Sequence, residues 1–378
     1  VKLFDVYPLF PIEPVKALGS WLWDREGKKY LDLYGGHAVI SIGHNHPHFV
    51  EALKSQLDKI SFYSNSVKNS MQEQLAEKLG QLSGYPDHQL FLCNSGAEAN
   101  ENALKLASFV TGRKKVIAFK KAFHGRTSGA VAATDNPKIV APFNAGHDII
   151  FLPFNDEAAF AQTINNDIAA VIIEGIQGVG GIYSPTDSFL QLLSAKCKEA
   201  GALLILDEVQ SGYGRTGKFF AHQFSGIEAD LITIAKGMGN GFPVGGVLIH
   251  PAIKPWSGML GTTFGGNYLA CAAALSVLEV IEQEDLMHNA ATLGNYWMEQ
   301  LRSFAPITEV RGKGLMIGFD LPDSLASLRK DLLFKHHIFT GEAKPNTVRL
   351  LPSLALTKGE ADILLEALSV ELKKPVLS

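Results

Sequence analysis

Two ionisable residues stand just past short apolar runs: Asp207 closes Leu203–Leu206, and Lys236 follows Leu231–Ile234 after a single alanine. Lys236 starts in an apolar wall and precedes Gly237, Gly239, Gly241 and Gly245. Burial penalises the charged form of such a lysine, and the glycines let another group approach the backbone closely. A neutral amine is what a Schiff base with an aldehyde requires. Asp207 fits the complementary task, a carboxylate that keeps a pyridinium nitrogen protonated and so makes an aromatic ring an electron sink. The pair points to pyridoxal phosphate.

Asp207 and Lys236 share a crevice only if the elements carrying them lie side by side. Both apolar runs have strand length, and the interval between them is long enough for the chain to return parallel to the same edge. In open α/β sheets ligands gather outside the carboxyl ends of the strands. Further strands are expected at Leu90–Cys93, Val116–Phe119 and Val171–Ile173. The first runs into NSGAEANENALKLA, a small-residue turn opening a helix, where Ser95, Gly96 and Ala97 present free backbone N–H groups to a phosphate. Helical periodicity marks His48–Ile60, Ser70–Leu82 and Asp187–Gly201, and Asp24 and Gly27 bracket a hairpin turn between Trp21–Trp23 and Tyr30–Leu33. From about Leu286 onward helical runs alternate with short strands (EVRGKGLMIGFDL, NTVRLLPSL), which fits a smaller α/β unit.

The segments SGAEAN, FHGRT, EGIQGVGG, LDEVQSGYGRTG, AKGMGNGFPVGG, GTTFGGN and RLLPSL occur in that order. Together they resemble the class III, or ornithine-type, aminotransferases of fold type I, from Trp21 to Leu354. The resemblance implies an α/β fold: an N-terminal segment (1–46), a large cofactor domain with a mainly parallel, seven-stranded-type sheet (47–284), and a smaller C-terminal domain (285–378). It implies that Lys236 is the catalytic lysine, that Ser95, Gly96 and Ala97 hold the cofactor phosphate, and that Asp207 faces the ring nitrogen. Phe123 and Val209 would cover the two ring faces, and Gln210 would bond the ring oxygen. Thr263, helped by Thr262, would reach the phosphate of the neighbouring subunit in a homodimer with shared active sites. Arg126 would bind a substrate carboxylate, and Arg349 would take the α-carboxylates of substrate and 2-oxoglutarate in turn. His124 and Glu208 are expected to be structural. Ser64 and Asn65 match the family, whereas Lys68 stands near a usual aromatic and Tyr268 replaces a usual proline.

At EGIQGVGGIY the chain matches the family at Glu174, Gln177, Gly178, Gly180 and Gly181 and departs at Gly175 and Val179. In the ornithine and GABA enzymes of the family, a glutamate at the latter position lies beside the substrate and pairs with an arginine. With Val179 there, free ornithine loses a carboxylate partner for its α-ammonium, whereas an N-acylated ornithine has no such charge to satisfy. The expected reaction moves the δ-amino group of N-acetylornithine or N-succinylornithine to 2-oxoglutarate, giving the semialdehyde and glutamate, as in arginine biosynthesis. Losing the glutamate also removes a charge that opposes a succinyl carboxylate. Competing expectations are an ornithine or GABA-type aminotransferase, a decarboxylase or aminomutase on the same scaffold, and a non-enzymatic binder using GNGFPVGG. The last leaves Asp207 and Lys236 without a purpose and lacks a GxxxxGK[ST] run.

Composition agrees with a large domain plus a smaller one. A chain of 378 residues, 46% hydrophobic, can bury more than one core. Its net charge of −4, with no basic run, provides no electrostatic footprint for nucleic acid. Cys93, Cys197 and Cys271 lie far apart in apolar stretches and read as buried thiols of a reducing compartment. No metal site is expected: His44, His46 and His48 flank Pro47, and no carboxylate or cysteine follows at ligand spacing. Asp5, Pro8 and Pro11 interrupt the apolar start where a signal peptide would need continuity, and no later run is long enough for a membrane span, so a cytoplasmic location is expected.

Overall fold

The computed structural model describes residues 1–372. The chain opens with three strands, β1 (Pro14–Leu18), β2 (Trp21–Asp24) and β3 (Lys29–Asp32), paired antiparallel in sequence order. The β2–β3 hairpin is the expected one, with its second strand one residue earlier. Asp24 Oδ1 accepts from the amides of Glu26 and Lys28, and Gly27 takes φ +82°, the left-handed conformation that a side chain would strain.

The central sheet is built from β4 (Gln89–Cys93), β5 (Lys115–Phe119), β6 (Ile149–Leu152), β7 (Ile168–Glu174), β8 (Leu203–Asp207), β9 (Leu231–Ile234) and β10 (Gly245–Ile249). Its spatial order is β4-β10-β9-β8-β7-β5-β6. The pairs from β9 to β6 are parallel, and β10 alone runs against both its neighbours. This is the mainly parallel seven-stranded sheet expected from the sequence. Every residue of β7 is buried, as the run IAAVIIE requires when helices cover both faces of a sheet.

Alternation along the strands assigns the faces. Ile117, Phe119, Val171, Ile173, Leu204 and Leu206 pack in one core with Phe189, Leu190 and Leu193 of the helix Asp187–Ala200. Their neighbours Val116, Ala118, Ala170, Ile172 and Ile205 pack in a second core with Ala99, Ala103 and Leu106 of the helix Gly96–Thr111. The period of two thus splits one sheet between two helical layers.

The remaining strands lie towards the C-terminus. A third sheet of β11 (Glu309–Lys313), β12 (Met316–Asp320), β14 (Gly341–Ala343) and β15 (Thr347–Leu350) is antiparallel in the order β11-β12-β15-β14. The short strand β13 (Ile338–Phe339) leaves this region and pairs in parallel with β3, so strands some three hundred residues apart share one sheet. The helix Leu286–Arg302 buries Trp297, whose Nε1 donates to the Ala361 carbonyl at 3.0 Å. Among the described residues no helix is long and apolar enough to cross a membrane.

Candidate functional site

The register of the parallel strands brings the chemistry together. Glu174 at the end of β7 pairs with Asp207 at the end of β8, and Asp207 pairs with Thr233 of β9, three residues before Lys236. All three ionisable groups therefore stand at one sheet end. There a cavity of about 380 Å³ is lined by Ser95, Gly96, Ala97, Phe123, Arg126, Glu174, Val179, Asp207, Val209, Gln210 and Lys236. These are eleven of the fourteen residues expected from sequence. Thr262, Thr263 and Arg349 do not line the cavity.

Asp207 is buried and anchored on three sides. Its Oδ2 accepts from Asn100 Nδ2 at 2.7 Å and sits 2.8 Å from His124 Nδ1, while Oδ1 accepts from the Val209 amide at 3.0 Å. Asn100 is in turn fixed, donating also to the His124 carbonyl and accepting from the Thr233 hydroxyl, each at 2.7 Å. The carboxylate is thus rigid before any ligand arrives, the condition for electrostatic preorganisation. His124, expected to be structural, is one of these anchors. Asn100 was not foreseen, although it lies one helical turn beyond the Ser95–Ala97 cup and hence on the same side of that helix.

The Lys236 amine makes no hydrogen bond or ion pair among the described residues, while its carbonyl accepts from the Gly239 amide at 3.1 Å and its backbone takes a positive φ of +43° at the mouth of the glycine turn. Burial pulls its pKa down, against the attraction of Asp207 and Glu174, and Arg349 adds to the depression. An amine in this state gives up its proton more readily than a surface lysine.

Glu174 is also buried without a cation. Its Oε1 accepts from the Phe123 amide at 2.9 Å and its Oε2 from the Gly178 amide at 3.0 Å, which ties the Phe123 loop to the Gly178 turn. Burial pushes its pKa up to about 7, with Asp207 adding to the rise and His124 and the two amides opposing it.

A phosphate has a place at the helix start. Ser95 caps the helix through its hydroxyl, which accepts from the Glu98 amide at 3.2 Å, and the amides of Gly96 and Ala97 have no acceptor among the described residues. Gly96 has to be glycine, since a Cβ there would lie 2.6 Å from Val209 Cγ1. Close packing thus couples the cup to the residue expected on one ring face. Two further polar atoms, His124 Nε2 and Gln210 Oε1, are buried without a partner among the described residues. Free amides, a fixed carboxylate, unpartnered polar atoms and an amine around one cavity fit a phosphorylated aromatic aldehyde.

The arginines differ. Arg126 is exposed at the cavity rim and has no partner among the described residues. Arg349 is buried behind the Gly178 turn and donates only to neutral oxygens: Nε to the Glu342 carbonyl at 2.8 Å, one terminal nitrogen to the Gly178 carbonyl at 3.0 Å and the other to the Tyr34 hydroxyl at 3.1 Å. Among the described residues one N–H on each terminal nitrogen has no acceptor, which leaves donors for a carboxylate. Val179 lies open to the cavity at 47% exposure.

Thr263 is exposed beside the exposed Phe264, whose ring meets Phe62 at 5.4 Å. The Thr262 hydroxyl accepts from Asn94 at 3.3 Å and from the Gly265 amide at 3.1 Å. The three histidines after Gly43 are dispersed: His44 pairs with Asp32, His46 with Glu284 and His48 with Glu279. Glu208 is fully buried against His222, Ser211 and the Ala221 amide, a structural network as expected.

Comparison with known proteins gives this arrangement a family. The sequence matches the family described as aminotransferase class-III over residues 5–372. It is 44% identical over 370 residues to the acetylornithine aminotransferase of Bacillus subtilis, covering 95% of this chain and 94% of that protein. The structure resembles the acetylornithine aminotransferase of Elizabethkingia anophelis with a TM-score of 0.82 at 32% identity, covering 96% of this chain and 95% of the other. It resembles the ornithine aminotransferase of Toxoplasma gondii with a TM-score of 0.89 at 27% identity, over 97% and 93% of the two chains.

Proposed function

The chain belongs to the class III aminotransferases, a pyridoxal phosphate-dependent family, and from that premise we propose how its residues divide the work of moving an amino group. The substrates are an N-acylated ornithine, which gives up its δ-amino group, and 2-oxoglutarate, which accepts it to become glutamate. Identity of 44% to an acetylornithine aminotransferase supports this pair, against 27% to an ornithine aminotransferase. The observation that carries the assignment is the partnerless Lys236, with its depressed pKa, at one sheet end with a carboxylate that three donors hold in place.

When bound, pyridoxal phosphate supplies an aldehyde for the amine and a protonated ring that draws electrons from the carbon losing its proton. The amides of Gly96 and Ala97, with Ser95, bind the phosphate. Asp207 keeps its charge directed at the ring nitrogen because Asn100 and His124 prevent it from turning away. Phe123 and Val209 close the two faces and exclude water, and Gln210 meets the ring oxygen. Lys236 takes the proton from the substrate δ-carbon as a general base and returns one as a general acid. Arg126 and Arg349 bind carboxylates. The neutral Val179 leaves no partner at this position for a free α-ammonium, which favours an N-acylated donor over ornithine. Thr263, with Thr262, serves the phosphate site of a second copy, so the working unit is a homodimer; the exposed Phe62–Phe264 pair beside Thr263 supports that arrangement.

The test is single-turnover spectroscopy of the purified holoenzyme. Adding N-acetylornithine or N-succinylornithine should bleach the visible band of the bound cofactor, and 2-oxoglutarate should restore it. Protein that binds no pyridoxal phosphate would overturn the whole assignment; bound cofactor that neither donor bleaches would overturn the substrate.

A further inference from the structure

The segment Gly35–Ala38, between β3 and the GHNHP turn, has four consecutive residues at positive φ: 54°, 55°, 70° and 64°. L-residues visit this region singly, and each side chain held there costs about 1–2 kcal/mol. His37 and Ala38 both bear that cost, so the surrounding structure has to impose it. Asp32 Oδ1 holds the entry by accepting from the Tyr34 and Gly35 amides at 3.0 and 2.8 Å, and His44 holds Asp32 from the other side at 2.8 Å. Gly35 has to be glycine, because a Cβ would lie 2.9 Å from the Leu351 carbonyl oxygen.

The strained turn places both ends of His37 on the site. Its carbonyl accepts from Gln210 Nε2 at 3.0 Å, and its ring Nδ1 is 2.5 Å from the Tyr34 hydroxyl. That hydroxyl already accepts from Arg349 at 3.1 Å. An arginine can only donate, so the tyrosine oxygen is the acceptor there, and its single proton is left to point at His37 Nδ1. His37 is exposed, but partial desolvation of its ring, with Arg349 and Lys236 nearby, holds it below its ordinary 6.5, which favours Nδ1 as an acceptor.

We propose that His37 is a positioning residue for Arg349: by accepting the Tyr34 proton it turns the hydroxyl lone pair onto one arm of the guanidinium and fixes the free fork for a substrate carboxylate. The inference rests on Arg349 receiving a carboxylate. Neither Tyr34 nor His37 belongs to a motif that the sequence singles out, and the link exists because the residues following β3 and β15 meet, the Leu351 amide donating to the Leu33 carbonyl at 2.8 Å.

Two substitutions suited to positive φ test it. His37→Gly removes the ring without strain, and His37→Asn restores an acceptor oxygen close to the place of Nδ1. In His37→Gly, KM for 2-oxoglutarate should rise about tenfold while kcat stays within about threefold, and His37→Asn should recover most of the loss. Tyr34→Phe should raise KM similarly, and the double variant His37→Gly with Tyr34→Phe should be no worse than either single one. The single-turnover rate with 1-aminobutane, a donor without a carboxylate, should be the same in wild type and His37→Gly. An unchanged KM in His37→Gly, additive single effects, no rescue by Asn, or an equal loss with 1-aminobutane would overturn the proposal. Failure of the substrate assignment is read separately, as absent turnover of N-acylornithine by the wild type.

Discussion

Lys236 has the least replaceable side chain in the cavity. Lys236→Ala should abolish turnover while leaving far-UV circular dichroism and the thermal midpoint close to wild type, since the lost amine had no protein partner. Val179→Glu should change the ratio of rates on N-acetylornithine and N-succinylornithine, lowering the succinyl rate by about tenfold through like-charge repulsion. Glu174 makes a pH prediction for the cofactor-free protein. With its folded pKa raised from 4.5 to about 7, the folded chain keeps a proton that the unfolded chain has released. The associated stability, roughly 3 kcal/mol at most, is present below the unfolded pKa and lost as pH rises through 7. Differential scanning should record a thermal midpoint that falls from about pH 5 to pH 8, and a smaller fall in Glu174→Gln. At this scale the sequence was informative where a residue type carries chemistry in itself. The charges after buried runs marked Asp207 and Lys236, and the glycine-flanked cup marked Ser95–Ala97. Asn100, Tyr34 and His37 escaped because each acts only through another residue.

The elements hold these residues through close contacts that small side chains permit. A Gly96→Ala Cβ would push into Val209, so the cup and the ring-facing wall would move together. Cofactor affinity should fall by at least about tenfold, measured by titrating the apoprotein with pyridoxal phosphate. Gly294→Ala tests packing remote from the chemistry: within the helix Leu286–Arg302 its Cβ would lie 2.1 Å from the Gly314 carbonyl oxygen. The helix would have to lift off the β11–β12 turn, at about 3 kcal/mol, which chemical denaturation would detect. Strands were legible as short apolar runs, and their observed ends fall within a residue for β4, β5, β8 and β9. β7 begins three residues before the expected Val171, because Ile168-Ala-Ala carries too little bulk to register as a strand although it is fully buried. The helix expected at His48–Ile60 spans Pro47–Leu57, beginning on the proline, whose missing N–H costs nothing in a first turn.

At the scale of the molecule, the proposed shared sites allow complementation between two inactive variants. Lys236→Ala lacks the amine, and Thr263→Asp would place a negative charge against the partner's cofactor phosphate. A mixed dimer contains one site with both native residues, so unfolding and refolding the two variants together should restore up to roughly a quarter of wild-type activity. Restoration at background level would show that Thr263 serves no second copy. The parallel order of the sheet could be anticipated from the sequence, but the joining of β13 to β3 could not, since a two-residue strand some three hundred positions away leaves no local pattern. That pairing also bears on the order in which the chain folds at the ribosome. Synthesis proceeds from the N-terminus, and upstream units ordinarily fold while later ones are still being made. Here the strand β13 that closes the edge of β3, and the arginine that donates to Tyr34, are translated some three hundred residues after Tyr34 and His37. A nascent chain can therefore build the cavity around Lys236 before Arg349 is made, and the arginine proposed to take carboxylates joins the site only once β15 has followed.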